Sequence, residues 1–180
     1  VTVIYKETEY LTVISLIDKQ EIKCNVIKKI DSNNEPKINI TLFQGLPKKL
    51  KMEKIIQQNV ELGVRKIVPL LTDRTIVKIN DKNKENRKVE RWQKIAKESA
   101  KQSKRNIIPK INNILSFNEA IEKLKYDDIE IIVPYEEEEE KTLKEIFDNS
   151  KKDYAIFIEP EGGFEESEIE ILKSIGAKII

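Results

Sequence analysis

Histidine is absent from the 180 residues, and cysteine occurs once, at Cys24. Without histidine, Ser-His nucleophilic triads, histidine general bases and histidine-ligated metal sites are excluded from this segment. One thiol forms no internal disulfide and suits a reducing cytosol, so we expect a cytoplasmic protein without a metal site. No apolar run approaches transmembrane length and no signal-peptide core opens the chain, so no membrane partner is expected.

Glycine and proline are also few, at 5 and 6 residues, whereas 36% of the side chains are charged. This composition is typical of a folded soluble protein, and the length suffices for one well-buried domain or one and a fraction.

The net charge of +1 hides an uneven distribution of charges along the chain. Residues 46–110 carry 19 basic and 7 acidic side chains, a net charge of +12, whereas residues 111–180 carry 8 basic and 19 acidic ones, a net charge of −11. Such a split favours a face that binds a polyanion on the basic part of the molecule. The alternative is a general bias toward lysine and glutamate.

The order of patterns along the chain predicts two units. Three β-branched runs of alternating polarity in residues 1–30 predict a small antiparallel β unit, and the polar segment 31–36 is the best domain boundary. Strands then alternate with helices, which predicts a mostly parallel α/β sheet with helices on both faces. The predicted strands are 38–43, 66–71, 107–111, 130–134, 154–158 and 177–180, and Pro69 indicates that 66–71 is an edge strand or an irregular one. The predicted helices are 49–62, 84–104, 116–124, 138–147 and 165–174. Ser116 and Glu119 are expected to form a capping box at the start of helix 116–124.

The segment from Tyr154 to Ile169 carries the strongest local signal. It predicts a buried strand, a Pro/Gly loop and a helix with acids in its first turn. Gly162 and Gly163 put no side chain between the backbone and a ligand, and open α/β sheets bind ligands at the carboxyl ends of strands. The acids of the loop would repel phosphate, so a neutral or cationic ligand is favoured over it. A plain strand-to-helix turn is the alternative.

A second loop that contains proline, Pro134-Tyr135-Glu136, directly follows another buried strand. If the two strands are neighbours, the two loops frame one pocket.

The long helix around Trp92 is cationic over most of its surface. One small, apolar face would pack on the sheet, whereas Arg91, Gln102 and Arg105 lie on an adjacent stripe. Arginine contacts phosphates, and Gln102 and Arg105 could also hold a planar base. A solvated surface helix is the alternative. Lysines around Lys51, at the start of the preceding helix, and Arg74, after the second parallel strand, extend the basic region.

Several short motifs, each weak alone, occur in one order and spacing: Lys51-Met52-Glu53, Glu61-Leu62-Gly63-Val64, Asp73-Arg74, Arg91-Trp92, the run from Glu98 to Arg105, Pro134-Tyr135-Glu136 and Glu161-Gly162-Gly163-Phe164. Together they resemble the RsmE family of ribosomal RNA uridine-N3 methyltransferases over nearly the whole chain. The resemblance implies a partial PUA-like β-barrel at residues 1–36 and a SPOUT methyltransferase domain at residues 37–180. It also implies a deep trefoil knot in the complete fold, an exception to the usual chain topology.

The resemblance further implies S-adenosylmethionine as cofactor, methylation of a uridine in small-subunit rRNA, and a homodimer. The sulfonium and ammonium of that cofactor are cationic, so their charge is complementary to that of the acidic loop. The implied cofactor-binding residues are Pro134, Tyr135, Glu136, Ile158, Glu159, Pro160, Gly162 and Gly163. The basic region described above supplies the candidate RNA-binding residues, which are Lys51, Arg74, Arg91 and Arg105.

The chain departs from the family pattern at two positions and at its ends. The family usually has glycine where this chain has Glu159, and an acid where it has Lys101. The closing family motif, roughly Leu-Gly-x-Arg-x-Leu-Arg-x-Glu-Thr, would begin just after Ile180 and would supply a third cofactor loop and the knotted helix. The first strands of the barrel would precede Val1. We therefore expect this sequence to be part of a longer protein.

The chemistry of methyl transfer limits the roles that side chains can take. Transfer from a sulfonium neutralises charge without a metal, so positioning in a dry pocket would dominate. Uridine N3 must lose a proton, and without histidine the options are a carboxylate or cationic donors that stabilise the uracil anion. Gln102 and Arg105 are the candidate catalytic residues. A SPOUT enzyme that methylates the ribose 2′-oxygen and an RNA-binding module without activity are the alternatives.

Overall fold

Two sheets organise the chain in a computed structural model that describes residues 1–30, 34–76, 81–124, 128–139, 141–147 and 150–180. One sheet is small and antiparallel, and the other is larger and parallel. Within these ranges no helix is both long and apolar enough to cross a membrane.

The N-terminal unit is a three-stranded antiparallel sheet. A two-residue turn at Lys6 and Glu7 joins its first two strands, and both residues have positive φ (47° and 61°). Two positive φ values give a turn whose twist matches that of the flanking strands. The antiparallel β unit predicted for residues 1–30 is confirmed. Its strands, in spatial order, are β1 (Thr2–Tyr5), β2 (Thr8–Ile17) and β3 (Ile22–Ile30).

The larger sheet has seven strands and every described pairing in it is parallel. The spatial order is β10-β8-β9-β4-β5-β6, with β7 also paired to β5. The predicted parallel α/β sheet is therefore confirmed. The strands are β4 (Asn39–Gly45), β5 (Lys66–Leu71), β6 (Lys110–Ile111), β7 (Leu115–Ser116), β8 (Glu130–Val133), β9 (Asp153–Ile158) and β10 (Lys178–Ile179).

Helices cover both faces of this sheet, as predicted, because its central strands are apolar on both sides. On β4, Leu42 packs with α1 and α2 in one core, while Phe43 belongs to a second core with α3 and α5. Successive strand residues point to opposite faces, so an unbroken apolar run supplies both cores. The helices are α1 (Lys51–Glu61), α2 (Lys82–Gln102), α3 (Phe117–Leu124), α4 (Leu143–Ile146) and α5 (Glu166–Ser174).

Pro69 lies inside the sheet rather than at its edge. Strand β5 pairs with β4 on one side and with β6 and β7 on the other, so the edge interpretation is wrong. The irregularity is real, however. β6 pairs with Lys66 and Ile67 and β7 pairs with Leu70 and Leu71, so the neighbouring strand is interrupted at the residue that lacks an N–H group.

The helix predicted for residues 138–147 is mostly wrong. Its described part is helical only in α4, from Leu143 to Ile146. Thr142 and Glu145 form a capping box that starts the helix there: the Glu145 carboxylate accepts bonds of 2.8 Å from both the backbone N–H and the hydroxyl of Thr142. Glu138 and Glu139, the described acids at the start of the predicted span, are not helical.

The helix predicted from Ser116 begins as expected. The backbone N–H of Ser116 donates to Glu119 Oε2 at 2.8 Å, and the backbone N–H of Glu119 donates to Ser116 Oγ at 3.3 Å. The predicted capping box is thus confirmed. Residues 31–33 of the predicted domain boundary lie outside the described residues, and the domain limits and the knot stay predictions.

Candidate functional site

The predicted cofactor residues gather at one edge of the parallel sheet. Strands β8, β9, β4 and β5 are neighbours and run parallel, so their carboxyl ends lie side by side. The loop that follows β8 contains Pro134, Tyr135 and Glu136, and the loop that follows β9 contains Pro160, Gly162 and Gly163.

Gly45, the last residue of β4, lets the β9 loop approach closely. A Cβ atom at Gly45 would lie 2.4 Å from Pro160 Cδ and 2.5 Å from the Pro160 nitrogen. The Gln44 amide donates to the carbonyl oxygen of Glu159 at 3.4 Å. Because no side chain fits at Gly45, β4 fixes the position of the loop that carries Glu159 to Gly163.

Arg74, in the turn after β5, holds the other side of this loop. Its Nε donates to Glu165 Oε1 at 2.7 Å and its Nη2 to Glu165 Oε2 at 3.0 Å, while Nη1 donates to the Gly162 carbonyl oxygen at 3.2 Å. The bond to the Glu165 carboxylate raises the pKa of the Arg74 guanidinium further above its usual range. These contacts orient the loop. The predicted RNA contact of Arg74 stays a prediction.

Gly163 leaves a gap toward which three charged groups converge. A Cβ atom there would lie 3.4 Å from Arg74 Nη1, 3.8 Å from Glu159 Oε2 and 3.9 Å from Glu136 Oε1. The backbone of Gly163 has φ of +78°, which residues with a side chain rarely adopt. The structure therefore brings the two predicted loops together, and no side chain at Gly163 stands between their charged groups.

Glu159 faces this gap with one buried oxygen. Within the described residues, Glu159 Oε2 has no hydrogen-bond partner. Burial raises the pKa of the Glu159 carboxyl, and the neighbouring Glu136 raises it further, whereas the Phe164 backbone N–H and Arg74 lower it. An acceptor in this environment indicates a missing donor, because buried polar atoms normally have hydrogen-bond partners.

Glu161, at the tip of the β9 loop, ties the loop to the start of α1. Its Oε1 lies 2.6 Å from Lys51 Nζ, and its Oε2 accepts the backbone N–H of Lys48 at 3.1 Å. Lys51 was predicted to bind RNA, and in the structure its ammonium is paired with a carboxylate of the cofactor loop. The hydrogen bond from Lys51 lowers the pKa of Glu161 from 4.5 to about 2.

We expect the Glu161 carboxyl to titrate near pH 2, and replacing Lys51 with methionine to raise its pKa toward the ordinary value of 4.5. A lowered folded-state pKa means that the contact stabilises the fold above the unfolded pKa of 4.5 and is lost as pH falls through about 2. An NMR titration of the side-chain carboxyl carbon measures both values. Lys54→Met, one turn along the helix, is the matched control, and an equal shift in both variants would contradict the specific pairing.

The Tyr135 side chain packs against the core while its backbone joins the end of β10. The Tyr135 N–H donates to the Ile180 carbonyl oxygen at 2.7 Å, and the Ile180 N–H donates to the Val133 carbonyl oxygen at 3.0 Å. A hydrogen bond with Glu137 is the main cause of the raised pKa of the Tyr135 phenol. The start of the β8 loop, directly before Glu136, is thus anchored to β10.

Arg105 does not occupy the environment expected of a catalytic or RNA-binding residue. It is only 5% exposed, its Nη1 donates to the carbonyl oxygens of Val60 and Val64 at 3.1 and 2.6 Å, and its Nε donates to Glu35 Oε2 at 3.1 Å. Glu35 also accepts the backbone N–H of Asn106 at 2.9 Å. All of these bonds are internal, so Arg105 joins the segment before β4 to the ends of α1 and α2, and we retain neither predicted role for it.

Gln102 and Arg91 remain on the surface. Gln102 is the exposed last residue of α2, and Arg91 pairs with Glu53 of α1 at 2.8 Å. Arg91 also lines a hollow of about 240 Å³ between the start of α1 and α2, together with Lys49, Lys88 and Trp92. The catalytic role of Gln102 and the RNA-binding role of Arg91 stay predictions.

Sequence reasoning missed Glu35, Glu165 and Gly45. Glu35 and Glu165 are the partners of Arg105 and Arg74, and they lie 70 and 91 positions away in the sequence. Gly45 touches Pro160 only because their strands are neighbours. Of the three, Gly45 alone gave a signal, since a glycine that ends a buried strand indicates close approach of another backbone. No group of three or more His, Cys, Asp or Glu side chains in the described ranges could hold a metal ion.

Comparison with known proteins identifies the chain. A family model described as an RNA methyltransferase domain matches residues 33–180, so the chain is in the class of RNA methyltransferase domains. Ribosomal RNA small subunit methyltransferase E of Bacillus subtilis (strain 168) is 36% identical over 162 residues, which cover 87% of this chain and 62% of that protein. The protein of the same name from Aquifex aeolicus (strain VF5) is 30% identical over 99% of this chain and 74% of its own length. The chain belongs to the ribosomal RNA small subunit methyltransferase E family.

The fold agrees with this family. A methyltransferase of Legionella pneumophila, solved in complex with the bound cofactor S-adenosylmethionine, matches with a TM-score of 0.83 at 28% identity over 99% of this chain and 72% of that chain. The resemblance stated from the sequence motifs is confirmed. The chain spans 62% of the length of the Bacillus relative.

Proposed function

We propose that this chain carries the catalytic domain of an S-adenosylmethionine-dependent methyltransferase that modifies N3 of a uridine in small-subunit rRNA. The observation that carries the proposal is the gap at Gly163, with Arg74, Glu136 and Glu159 around it. Membership in the methyltransferase E family and the cofactor bound to the Legionella relative support it.

The residues at the gap suit this cofactor. Glu159 Oε2 is a buried acceptor that has no partner among the described residues, and the missing Cβ of Gly163 leaves room beside it. The loops of Pro134 to Glu136 and of Ile158 to Gly163 would hold the cofactor, which supplies an electrophilic methyl group when bound. The loop acids attract its cationic groups and would repel a free phosphate.

The remaining catalytic work is to position uridine and to promote loss of its N3 proton. Gln102 is the candidate that would donate a hydrogen bond to a uracil carbonyl oxygen and so favour the deprotonated base. Its exposed position at the end of α2 leaves it accessible to RNA. A carboxylate is the candidate for the base that takes the proton, because the chain has no histidine.

The basic surface of α1 and α2 is the proposed RNA interface. Lys51 and Arg91 lie on these helices and each is more than half exposed while paired with a glutamate. Phosphate groups of RNA would compete with those glutamates for the same cations. We also infer that the protein acts in the cytoplasm and as a homodimer, since small-subunit RNA is modified there and the family resemblance implies a dimer.

The proposed reaction is tested by incubating the protein at its natural length with unmethylated small-subunit RNA and S-adenosylmethionine, followed by nucleoside analysis. We expect 3-methyluridine as product. A 2′-O-methylated nucleoside would instead identify a ribose methyltransferase, and RNA binding without any methylated nucleoside would identify an RNA-binding module.

We expect Arg91→Ala to weaken RNA binding and to reduce the slope of log affinity against log salt concentration by about one unit. Each phosphate contact releases about one counterion on binding, and this variant would make one contact fewer. Fluorescence anisotropy with labelled RNA between low and high salt measures the slope. Lys144→Ala in the acidic half removes the same charge and should leave the slope unchanged. A larger effect of Lys144→Ala would place the RNA interface on the other half of the molecule.

A further inference from the structure

The position of Glu159 differs from what the family pattern leads one to expect. The family usually has glycine there, and a side chain at this place could have pointed away from the cofactor loop. In the structure Glu159 Oε2 lies 3.8 Å from the place of a Cβ atom at Gly163, and Glu136 Oε1 and Arg74 Nη1 lie 3.9 and 3.4 Å from the same point.

The three groups form a charge pattern that matches an α-amino acid. Glu136 and Glu159 supply two carboxylates, which suit an ammonium group with three N–H donors. Arg74 uses three of its five N–H groups in the described bonds to Glu165 and to the Gly162 carbonyl oxygen, which leaves N–H donors for a carboxylate.

Other groups of the cofactor fit this pattern less well. A ribose diol offers hydrogen-bond donors but no positive charge to offset two carboxylates. A sulfonium carries the charge but has no N–H or O–H to satisfy the buried Glu159 Oε2. An ammonium provides both, and the carboxylate on the same carbon atom would be within reach of Arg74.

We propose that Glu159 is a specificity-determining residue that, with Glu136, binds the ammonium of the methionine portion of the cofactor while Arg74 binds its carboxylate. The inference rests on the proposed function, because it assigns the orientation of S-adenosylmethionine within that site. Glu159 thus supplies a direct ligand contact within the cofactor loop.

The test compares three adenosine ligands by calorimetry on the protein at its natural length: S-adenosylmethionine, S-adenosylhomocysteine and 5′-methylthioadenosine. The first two carry the amino acid, and the third lacks it. We expect Glu159→Gln to lower the affinity for S-adenosylmethionine and S-adenosylhomocysteine about tenfold each, and to change the affinity for 5′-methylthioadenosine less than about twofold. The reason is that a hydrogen bond to a charged group is lost only where the ammonium is present. Glu166→Gln, an exposed acid at the start of α5, is the control for net charge.

Each result decides between the possibilities. A lower affinity for S-adenosylmethionine alone would mean that Glu159 faces the sulfonium. An equal decrease in affinity for all three ligands would mean that Glu159 only shapes the loop. Either result, or no loss at all, overturns the proposal. Failure of the unaltered protein to bind any of the three would instead reject the proposed function.

The Glu159→Gln variant is expected to fold, because burial and Glu136 already raise the pKa of Glu159 and so disfavour its charge in the free protein.

Discussion

Replacing Gly163 with valine is expected to reduce S-adenosylmethionine affinity at least about a hundredfold, which corresponds to about 2.7 kcal/mol. The new side chain would fill the gap between Arg74, Glu136 and Glu159, starting 3.4 to 3.9 Å from their charged atoms. A β-branched residue at φ of +78° also strains the backbone by about 1–2 kcal/mol. Calorimetry on the protein at its natural length measures the affinity, and thermal unfolding reports the strain.

Gly176 provides a matched control for the strain. Its φ is +87°, and a Cβ atom there would meet no atom within 4 Å among the described residues. Gly176→Val should therefore lower the melting temperature as Gly163→Val does while leaving the affinity unchanged. If Gly176→Val lost the cofactor equally, or if Gly163→Val kept it, the gap at Gly163 would not be the binding site.

Replacing Arg105 with methionine is expected to lower the free energy of unfolding by about 3–5 kcal/mol, because it removes one partner of a buried ion pair with Glu35. The side chains of Arg105 and Glu35 are only 4% and 8% exposed. Two carbonyl oxygens, of Val60 and Val64, would lose a donor at the same time. Urea unfolding followed by circular dichroism measures the change.

Arg91→Ala is the control, because Arg91 is also paired with a glutamate but is 60% exposed. An exposed pair contributes about 0–1 kcal/mol, so this variant should unfold almost as the unaltered protein does. The two arginines should also differ in RNA binding, where Arg91→Ala reduces the salt dependence and Arg105→Met does not. Equal stability losses for the two variants would contradict the structural role of Arg105.

Together these variants separate three uses of charge in this domain. Arg105 and Glu35 stabilise the junction between the segment before β4 and the helices α1 and α2. Lys51 and Glu161 join the proposed RNA-binding surface to the cofactor loop. Arg74, Glu136 and Glu159 surround the proposed cofactor site. Sequence composition shows the abundance of charge but assigns none of these roles.

The sequence by itself determined the order of the elements and the position of the site loops. Apolar runs such as Ile38 to Phe43 and Tyr154 to Ile158 have the length and β-branched content of buried strands, and the Ser116–Glu119 capping box is a local motif within four residues. Gly162 and Gly163 indicated the position of the loop, because the backbone conformational freedom of glycine is a property of the residue itself. Each of these signals depends on neighbours in the chain.

Only the tertiary structure decided which charged groups meet. The partners of Arg105 and Arg74 lie 70 and 91 residues away, and no periodicity in the sequence pairs them. Arg105 shares a helical stripe with Gln102 and Arg91, but the chain leaves the helix after Gln102 and turns Arg105 inward. Glu159 and Glu136 face one gap because β8 and β9 are adjacent in space, although more than 20 residues separate them along the chain. Local patterns fix backbone conformation, whereas charge pairing depends on which strands become neighbours, and that is settled by packing of the whole sheet.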